Sequence, residues 1–152
     1  MTADARLAEL GITLPTPAAP VANYVPAVLS GSTLYISGQL PMSPDGLKAI
    51  GQCRTPEDVP AAADAARLCA INLLAQAKLA LGSLDRITRV VKLTGFVNAA
   101  PGFGDVPKVV NGASDLFVAV LGETGRHARS AVGVSSLPLG ALVEVEAILE
   151  VA

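Results

Sequence analysis

A small group of charged residues stands out near the C-terminus of an otherwise aliphatic sequence. Arg126, His127 and Arg129 precede a short apolar run, and Glu144 and Glu146 follow in the next strand-like segment. A guanidinium offers a rigid fork of donors that suits a carboxylate, and its charge is permanent. A carboxylate on a neighbouring strand could orient a water molecule or move a proton. This group is therefore the candidate site that the rest of the chain must position.

Arg129 and Glu144 admit two interpretations. They could form a cross-strand ion pair with a purely structural role. However, charged residues make up only 16% of the chain, and a guanidinium in an apolar strand is costly unless it meets an anion. At the edge of a subunit cleft, the carboxylate of a substrate is as good a partner for Arg129 as a carboxylate of the protein.

His127 is the only histidine in the sequence. A mechanism that needs two histidines, or a histidine-rich zinc site, is therefore excluded within one subunit. A Ser-His-Asp triad is formally conceivable, but the sequence has no Gly-x-Ser-x-Gly elbow and nothing places a serine beside His127. We therefore expect a solvated loop histidine. The glycine-bearing loops 102–104 and 122–125 are interpreted as turns because neither matches a nucleotide-binding spacing.

The composition limits the class of protein. A chain of 152 residues fits one domain with a real core, and an apolar share of 51% with a mean hydropathy of +0.52 is high for a soluble monomer. Charged residues interrupt the most apolar region, so that no run reaches the roughly 18–20 uncharged residues of a membrane-spanning helix. We therefore expect no membrane association, and we expect part of the apolar surface to lie between the subunits of an oligomer.

The same properties bear on location and partners. The first six residues lack the basic and apolar regions of a secretory signal, and Cys53 and Cys69 are two lone cysteines, so we expect a cytoplasmic protein with reduced thiols. The net charge is −2 and the pI is near 5.3, with two tyrosines and three phenylalanines as the aromatic residues. This composition argues against a nucleic-acid partner, which usually requires a basic face or aromatic stacking platforms.

Hydrophobic periodicity and turn residues predict the secondary structure. Three prolines between residues 15 and 20 indicate an extended N-terminal lead-in over residues 1–20. The remaining pattern predicts a hairpin of strands 24–29 and 33–38, a short strand at 47–50, a helix over 57–82, a strand over 86–97, a helix over 106–121, a strand after Arg129 and a final strand over 141–151. Strand–helix–strand units of this length imply a mixed sheet with both helices on one face.

The final strand alternates in character along its length. One face is entirely apolar, whereas Glu144, Glu146 and Glu150 share the other face with Leu142 and Ile148. We expect the apolar face to pack against the helices. Because the chain is so apolar, we expect the opposite face of the sheet to pack against other copies of the chain.

Several short motifs occur together in a specific order. They are Tyr24-Val25, Ile36-Ser37-Gly38-Gln39-Leu40-Pro41, Ala128-Arg129-Ser130-Ala131-Val132, Leu137-Pro138 and Val143-Glu144-Val145-Glu146-Ala147-Ile148. In this combination the chain resembles the reactive-intermediate deaminase family, also called YjgF/YER057c/UK114, some members of which carry the label endoribonuclease L-PSP. The resemblance runs from about residue 20 to the end, and the lead-in before it resembles that of a longer subgroup.

The resemblance implies a fold, an assembly and an activity. The fold is a chorismate-mutase-like α+β fold, in which a mixed sheet carries two helices on one face. Three copies form a homotrimer with a barrel-like core of sheets and with active clefts between subunits. Family members typically hydrolyse enamines and imines such as 2-aminoacrylate to 2-ketoacids and ammonia. The partner is thus a small carboxylate-bearing metabolite, and the reaction needs neither a cofactor nor a metal.

The resemblance also implies roles for individual residues. Arg129 matches the arginine that grips the substrate carboxylate, and Glu144 matches the glutamate that positions the attacking water and handles protons. The remaining positions that line the cleft are Tyr24, Ser37, Gly38 and Asn111.

Two departures motivate an alternative function. Ala131 and Gly133 stand where many members carry polar or acidic side chains, which strips polar groups from the cleft. The alternative is therefore a carboxylate-metabolite binding or regulatory module without turnover. Ribonuclease activity follows only from the family label, and the acidic pI counts against it.

Overall fold

A five-stranded mixed sheet with two long helices on one face forms the frame of the protein. The computed structural model describes residues 1–17 and 22–152. The elements in chain order are α1 (Ala3–Glu9), β1 (Ala27–Ser30), β2 (Thr33–Gln39), β3 (Met42–Ser43), β4 (Gly46–Leu47), α2 (Val59–Leu81), β5 (Ile87–Asn98), α3 (Val106–Leu121), β6 (Ala128–Val134) and β7 (Val143–Val151).

The strand order in the sheet is β1-β2-β7-β5-β6. Only the β5–β6 pair is parallel, and its two strands are joined through α3, as a parallel pair requires a crossover. The final strand β7 lies between β2 and β5 and runs antiparallel to both. The predicted mixed sheet is confirmed. In place of the predicted strand at 47–50, the structure has a separate two-stranded ribbon of β3 and β4, each two residues long.

Both long helices pack on the same face of the sheet, as predicted. Helix α2 contacts β2 and β7, helix α3 contacts β5 and β6, and the two helices contact each other. Each begins with a proline in its first turn and ends at a glycine with positive φ, Gly82 or Gly122. The apolar face of β7 is buried beneath them along its whole length. Both cysteines are buried free thiols.

The N-terminal segment differs from the prediction. Residues 3–9 form helix α1 instead of part of an extended lead-in, because Thr2 accepts a hydrogen bond from the backbone of Ala5 and caps the first turn. Leu7 is buried, and Lys78 pairs with Asp4 at 2.7 Å, which ties α1 to α2. The prolines prevent regular secondary structure only after this helix, in residues 12–17. The rest of the predicted lead-in, 18–20, lies outside the described residues.

Within the described ranges, no helix combines the length and the apolar character needed to cross a membrane.

Candidate active site

The guanidinium of Arg129 is held against helix α3 by three oxygen atoms. Its Nη1 donates to Asn111 Oδ1 at 2.8 Å and to Ser114 Oγ at 3.2 Å, and its Nη2 donates to the carbonyl oxygen of Pro107 at 3.4 Å. These three residues lie four and three positions apart on α3, so they form one stripe of the helix. Asn111, which the resemblance places among the residues that line the cleft, thus contacts Arg129 directly.

None of these three acceptors carries a charge. Arginine has five N–H donors, and the three hydrogen bonds use both protons of Nη1 and one proton of Nη2. The N–H of Nε and the second N–H of Nη2 have no partner in the part of the chain that the structure describes. Two donors on neighbouring nitrogens are what a carboxylate needs for a two-pronged, charge-assisted bond.

His127 is half-buried, and its ring is hydrogen-bonded on both sides, which corrects the expectation of a solvated loop histidine. Its Nε2 lies 2.8 Å from Ser114 Oγ, and its Nδ1 lies 2.6 Å from the carbonyl oxygen of Gly125. Phe117 packs its ring edge-on against the imidazole with 6.4 Å between centroids. A serine does therefore lie beside His127, and it connects the histidine to Arg129.

Glu144 lies on the open face of the sheet, as its alternation in β7 predicted. The pairing of β2 with β7 is irregular between Ile36 and Gln39, and Gly38 lies in this irregular segment. A methyl group built on Gly38 would come within 2.8 Å of Glu144 Cδ, so the absence of a side chain at position 38 is what leaves room for the carboxyl group. Burial, and secondarily the charge of Glu146, raises the pKa of Glu144.

Ser37 and the segment that carries Tyr24 lie at the same end of β2. The backbone N–H of Ser37 donates to the carbonyl oxygen of Pro26 at 2.9 Å, and its hydroxyl lies 3.5 Å from the carbonyl oxygen of Val25. Tyr24 precedes this segment and is 53% exposed. Gly38 therefore lies against Glu144, and Ser37 is its neighbour in the chain. Tyr24 directly precedes the Val25–Pro26 segment that is hydrogen-bonded to Ser37.

Arg129 and Glu144 do not meet within one chain. Strand β5 lies between β6 and β7, with Leu93 opposite Arg129 and Phe96 opposite Glu144. Leu93 is fully buried under the helices, so Arg129 points to the helix side, whereas Glu144 points to the open side. The cross-strand ion pair considered from the sequence is therefore excluded. The candidate site residues form two groups on opposite faces of the sheet, which we call half-sites.

Ala131 and Gly133 continue the Arg129 side of β6. They lie opposite Gly95 and the buried Val97 of β5, on the face of that strand that α3 covers. Beyond them is a cavity of about 360 Å³ whose walls include Phe103, Val106 and Gly133. On the helix side of β6, the residues that follow Arg129 are thus small and apolar.

Ser114 and Pro107 contact Arg129, and neither was predicted from the sequence. Ser114 shares one face of α3 with Asn111, three positions earlier. The spacing 107, 111 and 114 was an available signal, because residues four and three apart line one helix face.

The molecule is an α+β protein with two long helices on one face of a mixed sheet. An arginine on its edge strand β6 has only neutral hydrogen-bond partners among the described residues. The chain matches the family described as "YjgF/chorismate_mutase-like, putative endoribonuclease" over residues 4–151, and it belongs to that family.

Three similar proteins illustrate the range of its relatives. Protein TCP17 of Trypanosoma cruzi is 52% identical, over 96% of this chain and 92% of its own. The crystal structure of Atu1372 from Agrobacterium tumefaciens, of unknown function, is 51% identical with a TM-score of 0.90, over 99% of this chain and 92% of its own. The 2-iminobutanoate/2-iminopropanoate deaminase of Dermatophagoides farinae is 31% identical, over 91% of this chain and 93% of its own.

A prediction follows from the raised pKa of Glu144. A carboxyl group whose pKa is higher in the folded than in the unfolded state stabilises the fold only while protonated, so this contribution is lost as the pH rises through its pKa. Glu144→Gln is therefore expected to be more stable than the wild type at pH 7, and the difference should vanish near pH 3. Urea unfolding across this range measures it.

The matched control is the exposed Glu9→Gln, which should change the stability by less than about 0.5 kcal/mol at any of these pH values. A Glu144→Gln protein that is less stable than the wild type at pH 7 would show that the ionised carboxylate stabilises the fold.

Proposed function

We propose that this protein hydrolyses enamines and imines of 2-oxo acids, such as 2-aminoacrylate, to 2-oxo acids and ammonia. The observation that carries the proposal is the half-buried guanidinium of Arg129, whose protein partners among the described residues are all neutral. A buried charge without a counterion is costly, and the carboxylate of a small substrate would supply one. The relative named as an imine deaminase supports the same activity.

In this proposal Glu144 handles the water and the protons. Water adds to the imine carbon to give a carbinolamine, which then expels ammonia and leaves the carbonyl group of the product. One group must take a proton from the water and return it to the leaving nitrogen. A partly buried carboxyl with a raised pKa suits that task better than an exposed one. The reaction needs no cofactor.

The two half-sites would be completed between copies of the chain. Arg129 and Glu144 occupy opposite faces of one sheet, so a single subunit cannot present both to one substrate. The open face also carries apolar side chains that would be covered in an assembly: Val28, Tyr35 and Val132 are between 43% and 50% exposed. We therefore propose the homotrimer with a barrel-like core of sheets, in which Tyr24, Ser37 and Gly38 join Glu144 across the cleft from Arg129 and Asn111.

We also propose that the protein works in the cytoplasm, where its two buried thiols would stay reduced.

A second candidate is a binding or regulatory module for carboxylate metabolites without turnover. Ala131 and Gly133 favour it, because they leave the Arg129 side of the cleft with few polar groups to organise water. Calorimetric binding of 2-oxo acids together with an absence of turnover would select this function.

The experiment that tests the proposal couples the protein to a threonine or serine dehydratase. Release of the 2-oxo acid from the dehydratase product is expected to accelerate when the wild-type protein is added, in proportion to its concentration. The same preparation should protect a pyridoxal-phosphate enzyme from inactivation by 2-aminoacrylate. If neither effect occurs at protein concentrations well above that of the dehydratase, the proposed activity is wrong.

A further inference from the structure

Ser114 and His127 form a chain of hydrogen bonds behind Arg129. Arg129 Nη1 lies 3.2 Å from Ser114 Oγ, Ser114 Oγ lies 2.8 Å from His127 Nε2, and His127 Nδ1 lies 2.6 Å from the carbonyl oxygen of Gly125. The chain therefore links the guanidinium to a backbone atom of the loop after α3. The proposed hydrolysis uses neither Ser114 nor His127, so these two residues call for a separate explanation.

With a neutral imidazole, the two ends of this hydrogen-bond chain fix its proton positions. A guanidinium can only donate a hydrogen bond and a carbonyl oxygen can only accept one. Ser114 Oγ therefore accepts from Arg129, and its own proton is available for His127 Nε2. The ring proton of His127 lies on Nδ1 and is donated to Gly125. All three hydrogen bonds form at once when His127 is the neutral tautomer with its proton on Nδ1.

We infer that Ser114 and His127 are positioning residues that hold the guanidinium of Arg129 with its Nε and Nη2 donors turned to the carboxylate of the substrate. This inference rests on the proposed function of Arg129. Asn111 and Ser114 together occupy both protons of Nη1, which leaves the Nε side for the ligand. A guanidinium without Ser114 would keep its charge but lose one of the two contacts that set its orientation.

The anchor of the chain is rigid. A methyl group built on Gly125 would come within 2.3 Å of the carbonyl oxygen of Phe117, so the loop is packed directly on α3 and only glycine fits there. The ring of Phe117 holds the other side of the imidazole. His127 is thus fixed by a backbone acceptor, an aromatic edge and a serine, none of which is charged.

The neutrality of these groups matters for binding. A carboxylate in the place of Ser114 would also orient Arg129, but it would compensate the charge that the substrate must meet. A hydroxyl backed by a neutral imidazole orients the guanidinium and leaves its charge available. The chain therefore combines a defined orientation with an uncompensated charge.

Calorimetry with pyruvate and 2-oxobutanoate tests the inference on the 152-residue protein. Ser114→Ala and His127→Phe are expected to weaken binding roughly tenfold, the effect of losing one hydrogen bond to a charged group. His127→Gln keeps an acceptor at the position of Nε2 and is expected to stay within about threefold of the wild type. Ser32→Ala, in the exposed turn between β1 and β2, is the matched control and should not change binding. In the coupled assay, the loss in Ser114→Ala should appear mainly in KM.

Nitrogen-15 NMR of the single histidine shows which ring nitrogen of His127 carries the proton, and it needs no ligand. In a tag-free protein labelled at histidine, one ring appears, and we expect a protonated Nδ1 and an unprotonated Nε2 at pH 8, with the Nε2 signal shifted in Ser114→Ala. A proton on Nε2 at that pH would overturn the inference. This measurement does not depend on catalysis. It therefore tests whether the hydrogen bonds between Arg129, Ser114 and His127 form, even if no 2-oxo acid binds and the proposed function fails.

Other outcomes are equally decisive. If the wild type binds 2-oxo acids and Ser114→Ala binds them equally well, the positioning role is wrong while the proposed function stands. If a small fluorophosphonate labels Ser114 in the wild type but not in His127→Gln, the pair acts as a nucleophile and its base, which also overturns the positioning role.

Discussion

Arg129→Ala is expected to lower kcat/KM for imine hydrolysis by roughly 30- to 1,000-fold, which corresponds to a loss on the order of 2–4 kcal/mol of charge-assisted binding. The guanidinium keeps two N–H donors beyond those it gives to α3, and alanine removes both together with the charge. The coupled dehydratase assay measures the change in turnover, and calorimetry with pyruvate measures the change in binding.

Two further variants sharpen this expectation. Arg129→Lys keeps the charge but presents a point donor in place of a fork. It should therefore retain part of the substrate binding and lose more in turnover, which depends on the orientation of the substrate. Arg126→Ala is the matched control, because Arg126 is exposed and already pairs with Glu123 at 3.0 Å. Full activity in Arg129→Ala, or an equal loss in Arg126→Ala, would contradict the role given to Arg129.

Gly112→Ala is expected to destabilise the fold strongly. A methyl group built on Gly112 would lie 2.0 Å from the carbonyl oxygen of Ala63, at the point where α3 crosses α2. Because the obstacle is helix backbone, the two helices must move apart and lose packing along their contact. The cost should be about 3 kcal/mol, with a fall in Tm of roughly 6–12 °C at fixed protein concentration.

Gly104→Ala is the matched control for this substitution. Nothing lies within 4 Å of a methyl group built there, so the change in Tm should stay within about 2 °C. A Gly112→Ala protein as stable as Gly104→Ala would mean that the helices do not approach as closely as described. In either case the measurement is thermal unfolding followed by circular dichroism.

The positions of helices and strands could be predicted because periodicity is a local property. The alternation in β7 was sufficient to place Glu144 on the face away from the helices, and the apolar stripe of α3 was sufficient to place that helix on the sheet. Gly112 was a weaker sequence signal. A glycine inside a helix lowers the stability of the helix by about 1 kcal/mol relative to alanine, so its presence suggests that another part of the chain packs closely against the helix there.

The order of the strands in the sheet is not a local property. The face of the sheet on which Arg129 lies depends on that order. Strand β6 lies at the edge of the sheet and has no clear alternation of burial, so only its parallel register with β5 shows that Arg129 lies opposite the buried Leu93. For the same reason the separation of Arg129 from Glu144 could not be read from their spacing. The motif resemblance supplied both residues but not their opposite faces.

The contact between Ser114 and His127 depends on a turn. Helix α3 ends at Gly122, which has a φ of 66°, and the loop up to Gly125 packs back against Phe117 before β6 begins. This return brings a loop histidine beside a helix serine thirteen positions earlier. The N-terminal helix α1 was missed for a different reason, since the prolines that follow it outweighed its short capped turn in the prediction.

Co-assembly of two inactive variants tests whether the active site joins Arg129 of one copy to Glu144 of another. Arg129→Ala and Glu144→Gln are each expected to have little activity alone. When the two are unfolded, mixed in equal amounts and refolded together, random assembly into rings should restore roughly a quarter of the wild-type turnover, because one site in four then receives both intact residues. Recovery to about this level is expected if the site is shared between copies. Turnover that stays at the level of the separate variants, in mixed assemblies shown to have formed, would contradict it.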